Sequence, residues 1–266
     1  MREAVANAIR QAADTAILPR YRALTESDIH EKSDGDYVTI ADRECEQLLV
    51  EHLGRIDPGT PVLGEEAAAT DPELGQRLLV HERLWVIDPL DGTRAFMRGE
   101  PDFAVMVALI EQGETTAAWI WQPVPATMVT AVRGGGTTVD GVAVRRRPAS
   151  DRSVGELHGV VKLGYWDDDT RGLVAANRQH FAAAGSGPAA AGFAYPQLID
   201  GTHDFLVFWR TLPWDHAPGV LIAQESGCHV ARLDGSRYQP GQTGGGLLAA
   251  ADEITWAGVR DRLLAD

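Results

Sequence analysis

Residues 85–96 read Trp85-Val86-Ile87-Asp88-Pro89-Leu90-Asp91-Gly92-Thr93-Arg94-Ala95-Phe96. An apolar run that begins at Leu84 ends on two acids, with Pro89 and Gly92 punctuating them. The run reads as a buried strand. In a continuous strand Asp88 and Asp91 would face opposite sides, and Pro89 and Gly92 speak against one. A turn instead brings both carboxylates and the Leu90 carbonyl toward one point. Acids gathered there repel one another, and a hard dication such as Mg²⁺, which prefers oxygen ligands, relieves the conflict. Taken alone, the segment also reads as an ordinary turn, since Asp-Pro and Asp-Gly are common turn formers.

On either side the chain alternates helical and strand-like patterns. Val5, Ile9, Ala13 and Ile17 form one stripe of a helix that ends near Pro19. Residues 27–39 read as a loop. A second helix is expected from about Asp42, with Cys45, Leu48, Leu49 and Leu53 inward and Gly54 and Pro58 closing it. Pro61-Val62-Leu63 is a short strand and Phe103 to Ile110 a longer one, turning at Gln112-Gly113 into Thr115 to Trp121. Met128 to Val132 and Thr137 to Val144 read as another pair, split by Gly134-Gly135-Gly136. This pattern is an antiparallel sheet preceded by helices.

Near residue 145 the texture changes. Arg145-Arg146-Arg147-Pro148 reads as a solvated connection, with a phosphate-binding patch as the alternative. The Ala/Gly tract 182–192 reads as a helix end and loop approaching a strand. A strand is expected at Asp204 to Phe208, a helix opening around His216 to Pro218, and a last helix near 254–264. The expected fold is layered α+β: an N-terminal α+β subdomain, 1–145, and a smaller C-terminal α/β subdomain, 146–266.

Composition narrows the function. With 44% hydrophobic and 23% charged residues over 266, wholesale disorder is excluded. The 24 Lys and Arg stand against 38 Asp and Glu, a formal charge of −14. That sign opposes nucleic-acid binding by phosphate neutralisation and suits a site that collects cations. Cys45 and Cys228 are far apart, in no disulfide or zinc pattern, which fits a reducing cytoplasm. The opening segment does not read as a signal peptide, and the apolar stretch 103–110 is too short to span a bilayer. No HExxH, Walker A, GxGxxG or GxSxG pattern is present.

Further acids stand at element boundaries: Glu65-Glu66 after Gly64, Asp215 in Leu212-Pro213-Trp214-Asp215-His216-Ala217-Pro218-Gly219, and Asp42 after Asp36-Tyr37-Val38-Thr39-Ile40-Ala41. Individually, Glu65-Glu66 reads as solvated surface and Asp42 and Asp215 as helix caps. Each position also permits metal ligation.

Together and in order, Asp36…Val38-Thr39…Ala41-Asp42, Gly64-Glu65-Glu66, Asp88-Pro89-Leu90-Asp91-Gly92-Thr93 and Trp214-Asp215…Gly219 resemble the inositol monophosphatase family of Mg²⁺-dependent, lithium-sensitive phosphatases. The resemblance covers about residues 5–260. It implies an αβαβα sandwich, commonly a homodimer, and two to three Mg²⁺. One ion would sit on Glu65, Asp88 and the Leu90 carbonyl, a second on Asp88, Asp91 and Asp215, and a third, weaker one near Glu65. Gly92 and Thr93 would cradle the phosphate. Glu65 and Thr93, the latter supported by Asp42, would orient the attacking water. Asp91, Ala191, Phe208 and Arg210 would border the substrate.

The expected activity is Mg²⁺-dependent hydrolysis of a small polyol, sugar or amino-alcohol phosphate in the cytoplasm. Phe208 stands where inositol-hydrolysing relatives carry a Glu, and Arg210 nearby reads either as a surface or structural arginine or as a partner for an anionic part of a substrate. Histidinol phosphate, fructose 1,6-bisphosphate and 3′-phosphoadenosine 5′-phosphate are alternative substrates. A non-catalytic metal-binding regulator is the alternative from another class.

Overall fold

Alternation along one strand assigns the layers. Within Ala104–Glu111, Val105, Val107 and Leu109 join one hydrophobic cluster, while Ala104 and Met106 join another on the opposite face. A strand buried on both faces requires a helical layer on each side. The computed structural model describes residues 1–265 except 34, 72, 79 and 189.

In chain order, α1 (Arg2–Ala12) continues through a π-helical turn and a 3₁₀ turn to Arg20. A hairpin of β1 (Ile29–Ser33) and β2 (Asp36–Thr39) leads into α2 (Ile40–Ile56). Then come β3 (Val62–Gly64), the short helices α3 (Glu65–Thr70) and α4 (Leu74–Leu78), β4 (Arg83–Asp91) and α5 (Thr93–Met97). A meander follows: β5 (Ala104–Glu111), β6 (Glu114–Gln122), β7 (Thr127–Val132), β8 (Gly136–Val139) and β9 (Val142–Val144). The remainder is β10 (His158–Val161), α6 (Asp168–Asn177), β11 (Ala183–Gly185), α7 (Ala191–Asp200), β12 (Phe205–Phe208), α8 (Pro213–Glu225), β13 (His229–Arg232), β14 (Leu247–Ala250) and α9 (Glu253–Leu263).

Strands β3 to β9 form one seven-stranded sheet in sequence order, with β3 parallel to β4 and every other pair antiparallel. A second sheet has the order β11-β10-β12-β14-β13. Helices α1 and α2 cover one face of the larger sheet through Val5, Ile9, Leu49 and Leu53. Helices α7 and α8 lie between the sheets, burying Tyr195, Leu198, Val220 and Leu221 against both. Helices α6 and α9 close the far face of the second sheet with Val174, Trp256 and Val259. The layer order is therefore αβαβα, as the resemblance implies. Both large sheets keep to one side of residue 145, whereas the middle hydrophobic cluster draws on both halves of the chain.

Several local readings need correction. Within 27–39, residues 29–33 and 36–39 pair as β1 and β2 rather than forming a loop; Lys32 reaches inward to Glu65 and Glu66, a tertiary reason invisible to periodicity. Residues 137–144 are two strands, because Asp140 and Gly141, at φ 49° and 80°, make a tight turn. The tract 182–192 holds the edge strand β11 and the first residues of α7, with residue 189 outside the described residues. Arg146 is not solvated: it is buried against Asp204 at 2.8 Å. Helix α2 starts at Ile40 and runs through Gly54, and Leu48 is only partly buried. Cys45 and Cys228 are both buried and free. Among the described residues no helix is long and apolar enough to cross a membrane.

Candidate active site

The acids meet because of strand register. Parallel pairing of β3 and β4 aligns Gly64 with Ile87, so Glu65, where β3 gives way to α3, comes beside Asp88, which stays in β4. On its other side β4 pairs Asp88 with Met106 and Asp91 with Ala104. Three steps on β4 thus span two on β5, which is a bulge at Pro89-Leu90. One extra residue reverses the alternation, so Asp88 and Asp91 border the same cleft. The strand continues through Asp91 without the break that Pro89 and Gly92 suggest, and the bulge replaces the expected turn.

Asp215 arrives from the N-terminus of α8. The helix begins at Pro213, with Leu212 as the cap residue, so Asp215 lies in the first turn and is not the cap. Glu65, Asp88 and Asp215 each place one carboxylate oxygen within 4.8 Å of the others. Asp91 lines the same cleft, of about 210 Å³, with its Oδ2 accepting the Gly192 N–H at 2.5 Å from the start of α7. Leu90 and Thr93 line it too. The Thr93 hydroxyl lies 3.1 Å from Asp42 Oδ1 and 3.1 Å from the Leu90 carbonyl. Asp42 is not the cap of α2 either: Thr39 caps it, and Asp42 Oδ2 accepts the Thr39 N–H and hydroxyl in a capping box. Gly92 takes φ 91°, and a Cβ there would meet the Asp102 carbonyl at 2.7 Å, so glycine is required at this corner.

The electrostatics of the cluster are unfavourable as it stands. Burial pushes the Asp88 carboxyl well up, and Glu65, Asp91 and Asp215 add repulsion. Asp215 is raised likewise by burial and by Glu65 and Asp91, with Arg210 opposing. Burial raises Asp91 to about 7 against the Gly192 hydrogen bond, and raises Asp42 to about 7 against those from Thr39. Among the described residues Asp88, Asp91 and Asp215 have no ion-pair partner. The donors are carboxylate and carbonyl oxygens without His or Cys, the set a hard dication fits.

The expected substrate residues border the cleft in different ways. Ala191 sits at the start of α7. Phe208 is buried, its ring 4.6 Å from His216 and 5.7 Å from Tyr195, with one edge on the cavity. Arg210 is exposed and stacks 3.9 Å over the Tyr165 ring.

Other residues at the site went unread in the sequence. Lys32 Nζ donates to Glu65 and Glu66, 2.9 Å each, and these acids keep its ammonium above the ordinary range despite burial. Lys162 follows the last residue of β10, and Arg94 follows Thr93 on α5. Buried His216 is held neutral, its pKa lowered to about 3 by burial; its Nδ1 meets the Tyr195 hydroxyl at 3.0 Å and the ring bonds the Arg210 backbone. Only Lys162 carried a readable signal, a cation at the end of an apolar strand.

A family model described as the inositol monophosphatase family matches residues 1–263. An inositol-1-monophosphatase of Mesorhizobium japonicum is 32% identical over 213 residues, covering 77% of this chain and 76% of that protein. A fructose-1,6-bisphosphatase/inositol-1-monophosphatase of Thermotoga maritima is 31% identical over 200 residues, 75% and 73% of the two chains. The Nus factor SuhB of Pseudomonas aeruginosa is 34% identical over 221 residues, 78% and 76%. Among solved structures, the extragenic suppressor protein SuhB of Bartonella henselae superposes with a TM-score of 0.81 at 23% identity, covering 99% of this chain and 98% of that one. A Thermotoga maritima IMPase gives 0.79 at 23% identity, with 97% and 94% coverage.

Proposed function

This chain belongs to the inositol monophosphatase family, and from that premise we propose that it is a Mg²⁺-dependent phosphomonoesterase acting on a small polyol, sugar or amino-alcohol phosphate. The observation that carries this reading is the convergence of Glu65, Asp88 and Asp215 to within 4.8 Å. Among the described residues Asp88, Asp91 and Asp215 have no ion-pair partner and need positive charge from outside, while Glu65 shares Lys32 with Glu66. In this reading Glu65, Asp88, the Leu90 carbonyl, Asp91 and Asp215 hold two to three Mg²⁺. Such ions supply a lowered pKa for water and neutralise charge on the phosphoryl and leaving oxygens.

The chain supplies orientation. Thr93 Oγ1, anchored by Asp42 Oδ1, presents its lone pairs to a water, and Glu65 orients the same water. Phosphoryl transfer asks for such in-line positioning more than for a covalent nucleophile. The backbone N–H groups of Gly92 and Thr93, at the start of a helical turn, are the phosphate donors in this reading. The partial positive charge at the start of α8 favours the same anion. Residues 1–145 contribute most of the metal site and 146–266 contribute Asp215. The reading extends to a cytoplasmic homodimer, checked by light scattering, and to lithium inhibition, checked by titration under saturating Mg²⁺.

The test is phosphate release from a panel of small phosphate esters with and without Mg²⁺. Release that requires Mg²⁺ supports the reading. Folded, Mg²⁺-supplied protein that releases phosphate from no ester contradicts it and leaves the non-catalytic alternative standing.

A further inference from the structure

Beside the acid cluster the cleft widens into a cavity of about 470 Å³ whose wall carries Lys162, Arg94 and Arg210. Among the described residues its only carboxylates are Asp91 and Asp215, which belong to the acid cluster. In a chain of net charge −14, three cations on one wall are a local surplus. Among the described residues none of them forms an ion pair. Lys162 donates to the Pro188 carbonyl, Arg94 to the Gly35 carbonyl, and Arg210 lies over the Tyr165 ring.

Two of these cations are held in place by the fold. Lys162 follows β10, which lies between β11 and β12, and its N–H bonds the Val207 carbonyl at 3.0 Å. Arg210 belongs to a segment whose backbone is bonded by buried His216, itself fixed by Tyr195. Tyr165, which carries Arg210 on its ring, adopts φ 70°, a conformation costing a non-glycine residue about 1 kcal/mol. Phe208 offers an apolar ring on this lining, beside the hydroxyl-bearing Ser186 and Tyr165.

We infer that the alcohol released by this enzyme carries a second anionic group, a phosphate or a carboxylate, bound by Lys162 and Arg210 on this wall. The inference rests on the phosphatase reading and narrows it, since an amino alcohol would bring a cation to a cationic wall. The second group is bound and not transformed. Only the P–O bond of the other ester breaks, with water supplying the oxygen that phosphorus gains and the proton that the alcohol keeps.

The test compares kcat/KM within matched pairs. Fructose 1,6-bisphosphate against fructose 1-phosphate isolates a second phosphate, 3-phosphoglycerate against glycerol 3-phosphate isolates a carboxylate, and histidinol phosphate supplies a cationic alcohol. The anionic member of at least one pair is expected to lead by about 10-fold or more, the value of one charge-assisted hydrogen bond. Lys162→Met and Arg210→Met should each cut that ratio by about 10-fold, while Lys162→Arg restores most of it. Arg210 is exposed, so its variant keeps the test open if Lys162→Met does not fold. Equal turnover within both pairs, or a preference that survives both substitutions, overturns the inference and leaves the phosphatase reading intact. No turnover of any ester overturns both.

Discussion

Asp88 and Asp204 are equally buried, each 1% exposed, and their surroundings are opposite. Asp204 lies in the second sheet's region with Arg146 at 2.8 Å, Arg152 paired to the same oxygen and the His158 N–H at 2.9 Å. Asp88 accepts the Leu90 N–H at 3.0 Å and otherwise faces the carboxylates of Glu65, Asp91, Asp215 and Asp42. An interior acid that serves folding comes with its cations encoded in the same chain. An interior acid surrounded by acids leaves that charge to be supplied from solution. The contrast separates a structural ion cluster from a functional one without reference to relatives.

The contrast breaks most sharply under paired substitutions. Asp88→Asn should lower Mg²⁺-dependent kcat by about 10³-fold, about 4 kcal/mol of transition-state stabilisation, measured by phosphate release. The metal-free protein should lose no stability, because a buried repulsive charge is gone. Asp204→Asn should do the reverse. It strands Arg146 and Arg152 and should cost about 3 kcal/mol in urea unfolding, with kcat of the folded protein nearly unchanged. If Asp88→Asn unfolds the protein as readily as Asp204→Asn, the distinction fails.

A smaller effect sharpens the link between layers. A Cβ on Gly219 of α8 would stand 2.0 Å from the Tyr195 ring of α7. Gly219 therefore serves helix packing rather than chemistry, although it falls inside the Trp214-Asp215…Gly219 segment. Gly219→Ala should cost about 2 kcal/mol through overpacking, read by denaturant midpoint.

The smallest effect is a pH dependence of the metal-free protein. Asp42 and Asp91 rise from 3.8 to about 7 on folding. Between those values the folded state binds more protons than the unfolded one. Stability contributed by their protonated forms is thus complete below about 3.8 and is lost as pH rises through 7. The melting temperature without metal should fall across this interval, and Mg²⁺ should raise it most above pH 7. A metal-free melting temperature that climbs from pH 5 to 8 contradicts the sign.

Much of this was legible from residues alone. The alternation in 103–121, the punctuation at Gly134-Gly135-Gly136 and the four acidic segments were local signals, and the layers follow from them. The acids' meeting point was not local. It depends on parallel β3–β4 register and on a one-residue bulge, both set by long-range pairing that periodicity does not report. Lys32 has no local signature for the same reason: its strand is polar and short, and its tertiary partners Glu65 and Glu66 give it meaning. Asp42 and Asp215 look like caps in the sequence because an acid at the start of a helix reads the same at the cap and three residues on.

Calorimetric titration of Mg²⁺ into metal-stripped protein at pH 8, beside Asp88→Asn, tests the central claim most directly. The account predicts saturable binding by the unsubstituted chain that is lost or greatly weakened in the variant. Absence of binding, or equal binding by both proteins, would contradict it.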